Sequence, residues 1–184
     1  MTNTPVPEFS RPFPVVDLHE EATRRIEASE TECAAVARRL DVEAVAGFAA
    51  DLTLVREMGA IVRLTGRFRA EITQTCVVTL DPVGTHVEIE VNRRYAPPEV
   101  VADMEAETKS EEEEVPYEDE DPPDLIENGV IDLGEAVTEL LSLEIDPFPR
   151  AEGAEFPGFA SGPGGEDRKE SPFAVLEGLV KKPK

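Results

Sequence analysis

From Val62 to Tyr95 the chain alternates, and that period of two constrains its fold more than any other feature. Val62, Leu64, Phe68, Ala70 and Ile72 fall on one side, and Arg63, Thr65, Arg67, Arg69 and Glu71 on the other. A period of two over this length marks a strand buried on one face only. Leu80-Asp81-Pro82-Val83-Gly84 carries turn chemistry, after which the alternation resumes. Val87, Ile89, Val91 and Tyr95 point one way, Glu88, Glu90, Asn92 and Arg94 the other, and Arg93 breaks the pattern. Two such runs joined by a turn predict an antiparallel hairpin with one face for a core and one for water or a partner.

The rest of the chain is read around that hairpin. Residues 1–16, with Pro5, Pro7, Pro12 and Pro14, read as an extended leader; it has neither the basic start nor the apolar run of a signal peptide. Residues 17–28 fit a helical stripe through Leu18, Ala22 and Ile26, or a short strand over 23–28. Ser29 with Glu32 forms a capping-box pattern and predicts a helix over 30–40. In that helix Cys33, Val36, Ala37 and Leu40 share a buried face, so Cys33 is read as a small apolar filler. Residues 42–48 read as a turn of helix or loop. Strands are expected at about 49–57, 61–74 and 85–96, giving an antiparallel β-meander of three or more strands with packed amphipathic helices. The class is α+β.

The composition then changes. Between Glu99 and Asp146 there are nineteen acids against Lys109 alone, which accounts for most of the chain's formal charge of -22. Runs such as 111–114 and 118–121 repel themselves and bury little, so 99–127 is expected to be an acidic, disordered loop inside a single domain spanning 17–146. Asp132 with Glu135 repeats the cap pattern. Leu133, Val137, Leu140 and Leu141 follow as an amphipathic helix that Asp146-Pro147 stops. Residues 147–171 are rich in Pro and Gly and linker-like. Residues 172–184 are expected to form a C-terminal helical tail, with Ser171 as cap and Pro172 at the first helical position.

The charge argues against indiscriminate binding to nucleic acid or to an anionic membrane and favours a basic partner or plain solubility. No apolar run approaches the length of a bilayer span. Cys33, Cys76, His19 and His86 are scattered without the paired spacing of a zinc site, the EF-hand spacing is absent, and no P-loop, dinucleotide or nucleophile-elbow motif occurs. No catalytic, cofactor-binding or metal-ligating residue is therefore expected. The one candidate interaction face is the arginine side of the hairpin: Arg63, Arg67, Arg69 and Arg94. Guanidinium groups suit phosphate or carboxylate, so this face reads either as an RNA or acidic-segment docking surface, or as a solvated sheet face paired with Glu71, Glu88 and Glu90.

The order of motifs carries a resemblance. Gln74-Thr75-Cys76-Val77-Val78-Thr79-Leu80-Asp81-Pro82, an alternating strand, an acidic insertion, Gly129-Val130-Ile131-Asp132-Leu133, the Asp146-Pro147-Phe148-Pro149 exit and a terminal Ser171-Pro172-Phe173-Ala174-Val175-Leu176 resemble the bacterial YceD family over roughly residues 48–180. The N-terminal part looks like its alphaproteobacterial branch. The resemblance implies a cytoplasmic, non-enzymatic factor for the accumulation of large-subunit (23S) ribosomal RNA. It would act on that RNA or its precursor, on a basic ribosomal protein, or on both; a chaperone-like acidic module for a basic protein is the alternative. Many family members carry C-x-x-C where this chain has Cys76-Val77-Val78-Thr79, so a metal staple used by relatives is not expected here.

Overall fold

The computed structural model describes residues 7–102, 104 and 122–155. The fold is α+β. The elements that build it follow in order: β1 (Pro12–Pro14), β2 (Glu21–Glu27), α1 (Glu30–Arg39), β3 (Ala44–Arg56), β4 (Val62–Thr75), β5 (Pro82–Ala96), β6 (Asp124–Leu125), β7 (Val130–Asp132) and α2 (Leu133–Leu143). Strands β2-β3-β4-β5-β6 form one sheet in that order, antiparallel except for the parallel β5–β6 pair, and β1 pairs with β7 in a separate two-stranded ribbon. No helix among the described residues is long and apolar enough to cross a membrane.

The hairpin read from the alternation is the centre of that sheet. Val62 pairs with Tyr95, Phe68 with Ile89 and Thr75 with Pro82, so each strand keeps its apolar residues on one face. Gly66 sits inside this pattern at φ +144°, where a Cβ would collide with the Asp51 carbonyl oxygen. Glycine is needed there to let β3 and β4 approach. The inward face meets the buried sides of α1 (Cys33, Val36, Ala37) and α2 (Leu133, Ala136, Val137, Leu141) in one core. A row of rings runs through it, with Phe9 5.2 Å from Phe48 and Phe48 6.0 Å from Phe68, separations at which aromatic pairs attract.

Several expectations are corrected. Residues 42–48 are not a helical turn or loop, because β3 begins at Ala44. A bulge between Ala46 and Ala49, with Gly47 at φ +59°, places Val45 and Phe48 three positions apart on the buried side, which hides the period of two. The turn of the hairpin occupies 76–81 rather than 80–84; Leu80 takes the positive φ of 66°, and Pro82 to Gly84 are already paired with Thr75 to Thr73. The ambiguity at 17–28 resolves as strand β2, while the capping box at Ser29 and Glu32 forms with both of its bonds.

At the edges of the loops the chain is more ordered than its composition suggests. In the leader region Phe9 and Phe13 are core residues, and Pro12–Pro14 pair with β7. Gly134 makes room for this segment, since a Cβ there would strike the Phe9 carbonyl oxygen. At the far end of the acidic stretch, 124–127 contribute β6, a buried Ile126 and a bridge from Glu127 to Val130. In the segment read as a linker, Pro149 accepts a bond from Val77 N–H at 2.9 Å. At its near end the expected loop is corrected too: residues 98–102 are helical, with Val100 and Val101 N–H both bonded to the Pro97 carbonyl. The middle of the acidic stretch, most of the linker and the C-terminal tail lie outside the described residues.

Candidate functional site

Strand parity places Arg63, Arg67 and Arg69 together on the outward face of β4, and Arg94 lies directly across from Arg63 on β5. Carboxylates interleave them. Arg67 bonds both Glu88, at 3.1 Å, and Glu90, at 3.2 Å. Arg63 bonds Glu57, and at 3.2 Å the Asn92 side chain. His86 meets Glu71 at 2.6 Å across the same strands. Arg69 forms no ion pair among the described residues. The outward face is therefore a lattice of mixed charge; Arg67, held by two carboxylates, has its pKa raised above the ordinary value. Such exposed pairs contribute little to stability because solvent screens them, so a partner's charges can replace them at little cost.

The residue that sequence reasoning passed over is Arg93. Its parity is inward: it pairs with Leu64 between Val91 and Tyr95. At the margin of the core it bonds Asp124 of β6 at 2.9 Å and Glu139 of α2 at 2.6 Å, and its guanidinium lies 6.0 Å from the Tyr95 ring centre. Burial works against its charge, but the bond to Glu139 and the fields of Tyr95, Asp124 and Glu139 hold the pKa above its ordinary value. The break in alternation at Arg93 was the available signal, since an arginine at an inward position must have partners brought to it. Those partners lie 31 and 46 residues away in sequence, where no local pattern reveals them. Arg39, at the end of α1, repeats the arrangement with Glu135 at 2.6 Å and Glu8 at 3.1 Å. The two arginines tie β5 and α1 to the same side of α2.

Tyr95 is 7% exposed, and its hydroxyl has no hydrogen-bond partner among the described residues. Burial pushes its pKa up to about 12, with Asp124, Glu139 and Asp132 adding to the effect and Arg93 opposing it.

Cys76 closes the 76–81 turn. Its sulfur accepts backbone N–H groups from Val78 and Thr79 at 3.4 Å and from Ala151 at 3.3 Å. The Thr79 side chain, then these donors, lower the thiol pKa to about 6 against the opposing effect of burial. Cys76 is fully covered, so solvent has no direct route to it. Cys33 is buried on the core face of α1, as a filler would be, and burial pushes its thiol pKa up. Among the described residues no three His, Cys, Asp or Glu side chains converge to hold a metal ion.

A family model described as "Large ribosomal RNA subunit accumulation protein YceD" matches residues 64–180, more than half of the chain. Neither a curated protein nor a solved structure matches it.

Proposed function

The chain belongs to the YceD family, and on that premise we propose that it supports accumulation of large-subunit (23S) rRNA in ribosome biogenesis as a cytoplasmic binding factor rather than an enzyme. Its immediate partner in this reading is a basic protein, a ribosomal protein being the natural class. One observation carries that choice. The chain carries a formal charge of -22, so an approaching cation is drawn in by its field while a phosphate is repelled. The acid runs at 111–114 and 118–121 extend that preference. The chaperone-like alternative differs only in whether the basic client is held before it meets RNA. Direct RNA contact is a second reading, supported by Arg69, which has no ion pair among the described residues.

Depletion of the protein tests the proposal: 23S rRNA should fall relative to 16S rRNA, and an unchanged ratio overturns it. Affinity purification with and without ribonuclease separates the readings. A basic ribosomal protein retained after ribonuclease supports the protein partner; one lost with the RNA supports direct RNA contact.

A further inference from the structure

Between the end of β5, β6 and α2 lies a groove of about 830 Å³, toward the upper end of the size of sites that take a ligand. Its walls carry six carboxylates (Glu8, Asp124, Glu127, Asp132, Glu135 and Glu139) and two guanidiniums, Arg39 and Arg93, leaving a formal charge of -4. Both arginines are already bonded to carboxylates of the wall, so neither is offered to an anion. Glu127 is exposed, and its carboxylate has no partner among the described residues. Leu125, 52% exposed, and Val130 add an apolar component to the lining.

Tyr95 makes this more than an acidic surface. A tyrosine buried to this degree normally spends its hydroxyl on a partner, yet this one has none among the described residues. The oxygen is not sealed in the core, because among the described residues every fully buried side-chain polar atom has a partner, and Tyr95 lines the groove. A donor entering the groove would meet the phenol oxygen in the field of Asp124 and Glu139.

We infer that this groove is a docking site for an extended lysine-containing segment of a partner protein, with Tyr95 Oη accepting from a lysine ammonium, Glu127 pairing with a second cation, and Leu125 and Val130 receiving aliphatic stems. Lysine fits because its apolar stem and charged head divide between such walls. The inference deepens the basic-partner reading and rests on it.

The test uses the full-length chain and three labelled probes: a decapeptide alternating Lys and Val, its counterpart with Glu for Lys, and an oligouridylate RNA of similar length. Binding is measured by fluorescence anisotropy at low and physiological salt. The Lys–Val peptide should bind saturably and the Glu peptide should not. Tyr95→Phe should weaken the Lys–Val peptide about tenfold, the effect of losing one hydrogen bond to a charged group. It should leave the thermal midpoint unchanged or raised, because the lost hydroxyl satisfies nothing within the fold. Glu127→Lys should weaken the peptide chiefly at low salt. General attraction to a chain of this charge would survive Tyr95→Phe, so equal binding by wild type and Tyr95→Phe overturns the inference. So does absence of saturable Lys–Val binding, or RNA binding that Tyr95→Phe abolishes. A skewed 23S to 16S ratio on depletion together with no peptide binding removes the groove and leaves the proposed function. A normal ratio removes the function whatever the peptide does.

Discussion

Replacing Asp132 by alanine should cost about 2–4 kcal/mol, far more than a surface carboxylate is usually worth. The side chain does two jobs. As the N-cap of α2 it accepts from Gly134 N–H at 3.0 Å and Glu135 N–H at 3.2 Å, and loss of such a cap costs about 1 kcal/mol. It also accepts from Arg11 N–H at 2.7 Å and from the Ser10 hydroxyl, which fastens the N-terminal segment over the start of α2. Leaving a partly buried donor without a partner costs about 1–3 kcal/mol, and Asp132 is the acceptor that Arg11 N–H uses. For a chain of this size each kcal/mol shifts the midpoint by about 2–4 °C, so Asp132→Ala should melt roughly 10 °C below wild type. Two companions divide the effect. Asp132→Asn keeps an acceptor for both sets of donors and should lose least. Asp132→Ser is a good cap too short to reach Arg11 and should fall between. Thermal unfolding followed by circular dichroism at neutral pH measures all three. If Asp132→Ser melts with wild type, the residue is a helix cap only and the latch does not exist. If Asp132→Ala melts within 2 °C of wild type, both roles are refuted.

Three further outcomes follow from the same geometry. Glu32 bonds Arg11 through both oxygens, at 2.6 and 2.9 Å, and this pairing, followed by the Ser29 N–H, lowers its pKa from 4.5 to about 2. A lowered folded-state pKa gives stability that is present above about 4.5 and lost as the pH falls toward 2, so Glu32→Gln should be less stable than wild type at pH 7, with the gap closing over that window; a gap independent of pH contradicts the ion pair. Phe9→Ala removes a fully buried ring packed at a tilt against Phe48 and should cost about 3–5 kcal/mol, whereas a midpoint within 2 °C of wild type would show that the segment before β1 does not belong to the core. Thr79→Val should raise the Cys76 pKa from about 6, read from the ultraviolet absorbance of the thiolate in a pH titration, and an unmoved titration would assign the lowering to the backbone donors alone.

How far the sequence could be read depended on how local the determining contacts are. The hairpin, α1 and α2 were legible because alternation, the Ser29–Glu32 box and the Asp132 cap act over a few residues. The start of β3 was not, because the bulge at Gly47 adds a residue and breaks the parity on which strand reading relies. Phe9 was hidden for another reason: four prolines in the first fourteen residues signal an extended chain but not whether it packs, and the β1–β7 pairing spans more than a hundred residues. The outward position of Arg63, Arg67 and Arg69 followed from strand parity. Glu88 and Glu90 were legible as partners for that face in the same way; that Arg67 takes both depends on cross-strand register, and that Arg63 takes Glu57 depends on the turn before β4. The same limit applies to Arg93 and Tyr95, whose surroundings come from β6 and α2.

The charge lattice on β4 and β5 also separates local from long-range electrostatics, and the two predict opposite responses to salt. Locally, exchanging the carboxylate partners of Arg67 for phosphates costs little, because solvent screens exposed pairs. At longer range, an approaching RNA meets the field of the whole chain, at -22, whereas a basic protein is drawn in by it. At low ionic strength that field extends well beyond the roughly 8 Å over which it acts at physiological salt. The association rate of a basic partner should therefore rise steeply as salt is lowered, and that of an RNA should fall, whatever contacts either makes once bound. Stopped-flow association of a lysine-rich ribosomal protein and of an oligouridylate, each across a salt series, gives the two slopes. If RNA association accelerates at low salt, the Arg69 side of the sheet attracts phosphate more strongly than the rest of the chain repels it, and direct RNA contact becomes the better account of how this protein acts.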